Sequence, residues 1–124
     1  MVSGNTIYYF AGDGIRNTGD NNIFRFNCIY DAIIDDYYEP GGNYDDMFQA
    51  WTFGNPIKNI VIENNLGISC TDSNLNYKAK IVQGIVCFDG FEERLDYKNN
   101  IVITDHPHGI SLLEQLDVRS KIIS

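Results

Sequence analysis

A short phrase recurs four times along the chain: Asp13-Gly14-Ile15, Asp46-Met47-Phe48, Gln83-Gly84-Ile85 and His108-Gly109-Ile110. Each copy opens a run rich in Ile, Val and Phe. The copies start at positions 13, 46, 83 and 108, so they lie 33, 37 and 25 residues apart. A self-similar unit with a period of roughly 20 to 50 residues marks a solenoid or array. One such unit cannot bury its apolar side alone and needs the units above and below it.

Each unit reads as three short strands. The first has a strand from Ile15, then Ile23–Phe26 and Cys28–Tyr30. The second has Met47–Phe53, Ile60–Ile62 and Leu66–Cys70. The third has Ile85–Phe88, Leu95–Lys98 and Ile101–Ile103. The fourth has Ile110–Leu113 and Val118–Ile123, and Ile7–Phe10 belongs to an incomplete first coil. β-Branched and aromatic residues favour these runs, and Gly, Asn and Asp punctuate them. Helical periodicity is absent. Hairpins are poorly signalled: Asp89-Gly90 is the nearest candidate, and Phe91-Glu92-Glu93-Arg94 after it does not alternate. The predicted fold is therefore all-β, a short β-solenoid of about three to four coils. A length of 124 residues with 44% hydrophobic content suits a single domain over residues 1–124.

In a parallel stack, equivalent residues of successive coils sit ~4.8 Å apart. Ile15, Phe48, Ile85 and Ile110 are then predicted to form one internal column. Asn17, Ala50, Cys87 and Leu112 form the next, with Asn17 a polar misfit. Asn27, Asn65 and Asn100 are placed to form an amide ladder at a bend. The longer spacings imply insertions at Ile34–Tyr44 and Thr71–Lys80, which in solenoids collect on one face.

The segments Asn59-Ile60-Val61-Ile62-Glu63-Asn64-Asn65 and Tyr97-Lys98-Asn99-Asn100-Ile101-Val102-Ile103, with Asp13-Gly14-Ile15, resemble repeats of the right-handed parallel β-helix superfamily. That superfamily includes pectate-lyase-like enzymes, mannuronan epimerases and phage tailspikes. The resemblance spans about Gly12 to Ile123 and is specific for fold, not for activity. It implies a right-handed parallel β-helix and a carbohydrate ligand on an outer strand face. Known members are much longer than this chain. Terminal coils of a solenoid need covering, and Lys121-Ile122-Ile123-Ser124 lies inside an apolar run. The expectation is a partial or assembly-capped solenoid, its ends covered by further copies or by neighbouring structural proteins, as in a virion component.

Charge narrows the partners. The formal net charge is −8, which disfavours nucleic acid and anionic membranes. Three cysteines cannot all pair within one chain, and Cys28, Cys70 and Cys87 form no C-x-x-C motif. Free thiols and synthesis in a reducing cytoplasm are expected. Met1–Phe10 lacks the pattern of a signal peptide. The site of action read from the resemblance is a virion or the extracellular space.

The residues opening the strands make a polar row, Asp13, Asp46, Gln83 and His108, with Asp45, Asp105 and His106 beside it. Arg16, Gln49, Val86 and Ser111 are predicted to point outward along the same strands, and Trp51 and Phe88 follow. Acids, amides, histidines and aromatics together suit a sugar: rings stack on its faces and polar groups read its hydroxyls. The substrate-binding set is Tyr44, Asp45, Gln49, Trp51, Gln83, Phe88, Asp89 and His106. The catalytic set, should a bond be cleaved, is Asp46, Asp105 and His108. Glycoside hydrolysis needs two carboxylates ~5–5.5 Å apart for retention or ~6.5–9.5 Å for inversion; Asp13 and Asp46, one coil apart, are candidates for the first, and Asp46 with Asp89 or Asp105 for the second. Lysis or epimerisation needs a base or cation near a uronate. Asp45, Asp46 and Asp105 offer oxygen ligands for Ca²⁺, though no calcium-binding motif is present. Asp105-His106-Pro107-His108 invites a transition-metal reading, but its ligands crowd one turn, so no metal site is assigned. Aspartate before glycine also has an ordinary role, capping turns. Three functions emerge: a carbohydrate-recognising module, a polysaccharide lyase, hydrolase or epimerase, or a purely structural coil stack with no ligand.

Overall fold

The computed structural model describes residues 1–33, 45–52, 54–72, 74, 82–90, 92–112 and 118–121; for Phe88, Asp89 and 118–121 the backbone alone is considered. Thirteen strands are described. In chain order they are β1 (Val2–Ser3), β2 (Thr6–Tyr8), β3 (Ile15–Asn17), β4 (Ile23–Arg25), β5 (Cys28–Tyr30), β6 (Asp46–Trp51), β7 (Ile57–Glu63), β8 (Leu66–Ile68), β9 (Gln83–Asp89), β10 (Glu92–Lys98), β11 (Ile101–Ile103), β12 (Ile110–Leu112) and β13 (Val118–Lys121). Every third strand pairs, and every pair is parallel. Sheet A is β1-β4-β7-β10-β13, sheet B is β2-β5-β8-β11 and sheet C is β3-β6-β9-β12. The chain visits A, B and C in turn and climbs one rung each time. This is a parallel β-helix of a few coils, as the repeat predicts.

The first predicted column holds. Ile15 pairs with Phe48, Phe48 with Ile85 and Ile85 with Ile110. In the next column Asn17 faces Ala50 and Cys87 faces Leu112. Between Ala50 and Cys87 the alignment slips, because a bulge falls between Gln49 and Trp51. The inward column of sheet A runs Val2, Phe24, Ile62 and Tyr97. Phe24 meets Phe48 across the interior edge to face, ring centres 4.9 Å apart. Met47 also reaches the core, its sulfur filling the space that a side chain on Gly67 would need. The void beside Met47 and Phe48 measures ≈ 10 Å³, at or below what one water needs. The interior is closely packed there. Both predicted insertions fall between sheets B and C in sequence, almost wholly outside the described residues.

The bend from sheet A to sheet B repeats at every rung. A residue in left-handed backbone is followed by an asparagine: Gly4-Asn5, Phe26-Asn27, Asn64-Asn65 and Asn99-Asn100. The asparagines form a ladder. Asn5 Nδ2 donates to Asn27 Oδ1 at 3.0 Å, Asn27 Nδ2 to Asn65 Oδ1 at 2.9 Å, and Asn65 Nδ2 to Asn100 Oδ1 at 2.9 Å. Each acceptor oxygen also takes the backbone N–H of the rung before it, at 3.0–3.1 Å. The second amide proton goes to a carbonyl one rung back: Val2, Phe24 and Ile62 for Asn27, Asn65 and Asn100. Asparagine alone has the acceptor and the two donors at the reach this needs. Three of the four rungs are predicted from sequence; Asn5 is the addition.

The outer faces differ. Sheet A turns Arg25, Glu63 and Lys98 outward in one column, with Lys98 Nζ 3.1 Å and Arg25 Nη1 3.9 Å from the Glu63 carboxylate. Sheet B turns out one column of Thr6, Cys28, Leu66 and Ile101 and a second of Tyr8, Tyr30, Ile68 and Ile103. No charged group stands in either.

An Asn65→Ala change leaves the buried Asn27 N–H without its acceptor and breaks both neighbouring rungs. We expect it to cost ~3 kcal/mol or more, against ~1 kcal/mol for Asn5→Ala at the end of the ladder. Phe26 holds left-handed backbone with a bulky side chain, so Phe26→Asn should stabilise by ~1 kcal/mol. Urea unfolding followed by circular dichroism checks all three; equal losses at Asn5 and Asn65 would contradict the ladder's continuity.

Candidate functional site

Sheet C stacks the polar row that opens its strands. Asp13 Oδ1 accepts the Asp46 backbone N–H at 3.2 Å, and Asp46 stands beside Gln83 in register. Gln83 Oε1 lies 3.3 Å from His108 Nδ1. The row is assembled, but most of it is covered. Asp45, Asp46 and Gln83 are 3%, 2% and 7% exposed. The backbone explains part of this: Gln83 N–H donates to the Asp45 carbonyl and Gly14 N–H to the Asp46 carbonyl, so both aspartates sit inside the rung-to-rung bonding.

The rest of the predicted set spreads around this row. His106 Nδ1 accepts the His108 backbone N–H at 3.0 Å, and the two rings meet edge to face with centres 5.1 Å apart. Asp105 is exposed in the same bend. Gln49 is half-buried on the outward column Arg16, Gln49, Val86 and Ser111, whose register is as predicted. Val86 departs from expectation: it is fully buried although it points away from the core. Trp51 stays partly open, with the Arg16 guanidinium 5.3 Å from its ring centre. Arg16 is also paired with Asp13. Phe88 and Asp89 are placed by their backbone on β9, with Asp89 opposite Trp51. Tyr44 lies outside the described residues.

Two groups show what this environment does to ionisation. Burial pushes the Cys87 thiol well up, and the neighbouring Glu92, through its charge and a hydrogen bond, pushes the same way. The thiol stays protonated and is no nucleophile at neutral pH. None of Cys28, Cys70 and Cys87 forms a disulfide. His106 is held below the ordinary imidazole value, first by burial and then by the charge of His108. Among the described residues, no three His, Cys, Asp or Glu side chains are grouped to hold a metal ion.

An open concave site lies on sheet A instead. Asn21, Asn59 and Arg94 all have left-handed backbone, with φ of 56°, 56° and 64°. Asn59 and Arg94 interrupt adjacent strands at one level: pairing runs Lys58 with Glu93, then resumes at Ile60 with Leu95. Asn59 Nδ2 donates to Asn21 Oδ1 at 2.8 Å, tying the kinks together. The stacked kinks notch the sheet. The notch is lined by Asn59, Ile60, Val61, Arg94 and Asp96. Its volume of ≈ 240 Å³ falls short of the ~300–1,000 Å³ that encloses a whole small molecule. It has room for one ring or side group of a ligand lying along the sheet. Asn21 and Asn59 were the available signal, since asparagine tolerates this backbone. Arg94 gave none.

Comparison with protein-family models, curated proteins and solved structures found no match.

Because folding lowers the His106 pKa, the unfolded chain binds more protons in the window below the ordinary value of 6.5. The contribution of His106 to stability is thus present above pH 6.5 and lost as pH falls through the folded value. A ring NMR titration should place His106 below 6.5, and His108→Gln should raise it. A midpoint at or above 6.5 in the native protein would contradict the packing of this bend.

Proposed function

We propose that this β-helix is a carbohydrate-recognition module that binds a polysaccharide along an outer strand face. The setting is a virion attachment or structural component. The observation that supports it best is the notch of sheet A. Asn59, Arg94 and Asp96 offer amide, guanidinium and carboxylate within one shallow groove over the aliphatic Val61. Such a set pairs with vicinal hydroxyls, and Arg94 adds a fork for a sugar carboxylate. The charged column Arg25, Glu63 and Lys98 continues the polar surface along the sheet. Trp51 and His106 at the margin of sheet C extend the same chemistry to a second face. Binding is favoured over cleavage because Asp46, a member of the catalytic set, is buried, out of reach of a glycan chain.

The test is a glycan array, followed by product analysis on any glycan bound. The expected outcome is binding to an extracellular polysaccharide, at least tenfold weaker for Arg94→Ala or Asp96→Ala, with no new reducing or unsaturated ends. New ends that disappear in Asp46→Asn would replace this reading with the polysaccharide-cleaving one. No binding to any glycan would end both.

A further inference from the structure

The outer face of sheet B is the least expected surface of the molecule. Of its eight outward side chains, seven are apolar or aromatic, and the eighth is Thr6. A lone parallel sheet facing water should resemble sheet A, one outward column of which carries ion pairs. Here Ile101, Ile103 and Tyr8 are 59%, 56% and 53% exposed. Tyr8 stacks on Tyr30 with ring centres 5.5 Å apart and 9° between planes, forming a flat continuous wall.

The margins of this face hold a second and independent observation. Phe26 and Tyr9 both have left-handed backbone, φ 55° and 53°. For a bulky side chain that is strained, at a cost of ~1–2 kcal/mol. The equivalent bend positions beside Phe26 are Gly4, Asn64 and Asn99, residues that tolerate it. Phe26 and Tyr9 are also 58% and 51% exposed, so burial within the chain does not repay the strain. Strained residues in open positions mark places where a side chain is held for use.

We infer that sheet B is the surface on which a second copy of this chain docks, face to face. Charge selects the face. Two copies that each carry −8 repel one another, and the charge-free face offers the approach at which repulsion is least and apolar burial greatest. Area agrees. Half-exposed aromatics of ~150–250 Å² each, together with the isoleucines, give a face of roughly 600 Å², the per-partner area at the low end of specific interfaces. Two flat sheets pack ~10 Å apart with their outer side chains interdigitated, and identical faces give a closed two-fold dimer. This contact leaves the coil ends and the notch of sheet A free, and it does not rest on the glycan reading.

Sedimentation equilibrium tests it. The full chain should run at twice its 14.1 kDa at micromolar concentrations, and added salt should tighten the dimer by screening the like charges. Ile68→Lys and Ile103→Lys should each weaken association at least tenfold with an unchanged circular dichroism spectrum. Phe26→Asn should weaken it while raising the stability of the monomer. Ile23→Lys, outward on sheet A, should leave the dimer intact. A monomer at 100 μM, an assembly that persists in the Ile68→Lys/Ile103→Lys double variant, or equal dissociation by Ile23→Lys would each overturn the proposal.

Discussion

The hydrogen-bonded column of Asn5, Asn27, Asn65 and Asn100 is the constraint on which the rest depends. A parallel β-helix must turn a corner of two residues at each rung without leaving backbone groups dry and unpaired. The two inner asparagines, Asn27 and Asn65, each meet that demand with one side chain. Each receives a backbone N–H from the previous rung, returns an amide proton to a carbonyl there, and passes its second proton forward. Because each rung's amide is oriented by the next, the ladder fixes the register of sheets A and B on either side of it. A slip of one residue would turn every inward side chain out.

With register fixed, the three sheets take on separate work. Sheet A is solvated and charged, and its stacked left-handed residues open the notch. Sheet B is apolar on both sides. Sheet C draws its polar row inward, and Asp13 illustrates why: its carboxylate accepts the Asp46 N–H and pairs with Arg16. That is turn-capping chemistry, the ordinary role of an aspartate before glycine. The buried thiol of Cys87 beside Glu92 belongs to the same inward-facing polar layer, where desolvation suppresses reactivity.

Much of the fold was legible because period and residue type agreed. The positions of Ile15, Phe48, Ile85 and Ile110 predict the column that the register realises, and the recurring Asn after a turn residue predicts the ladder. The first strand, Val2–Ser3, and the first rung, Asn5, were not legible, since two residues give no pattern. The bulge between Gln49 and Trp51 was hidden because an extra residue in one strand leaves no mark on composition. The site was harder. Alternation says which side of a strand a residue takes but not whether that side is covered, so Val86 was expected to be open and is buried. The notch depends on the backbone of Arg94, which no propensity favours. The apolar exterior of sheet B was visible as letters, in Cys28-Ile29-Tyr30 and Ile101-Val102-Ile103, but such runs also describe a strand buried on both faces.

The most direct measurement of the stacking is a set of NMR contacts between side chains far apart in sequence. Ile15, Phe48, Ile85 and Ile110 should give nuclear Overhauser effects in that order, each to the next, and the side-chain amide protons of Asn27 and Asn65 should exchange slowly with solvent. Close Hα–Hα contacts between neighbouring strands, which arise in antiparallel pairs, or a fast-exchanging Asn65 amide, would contradict the account.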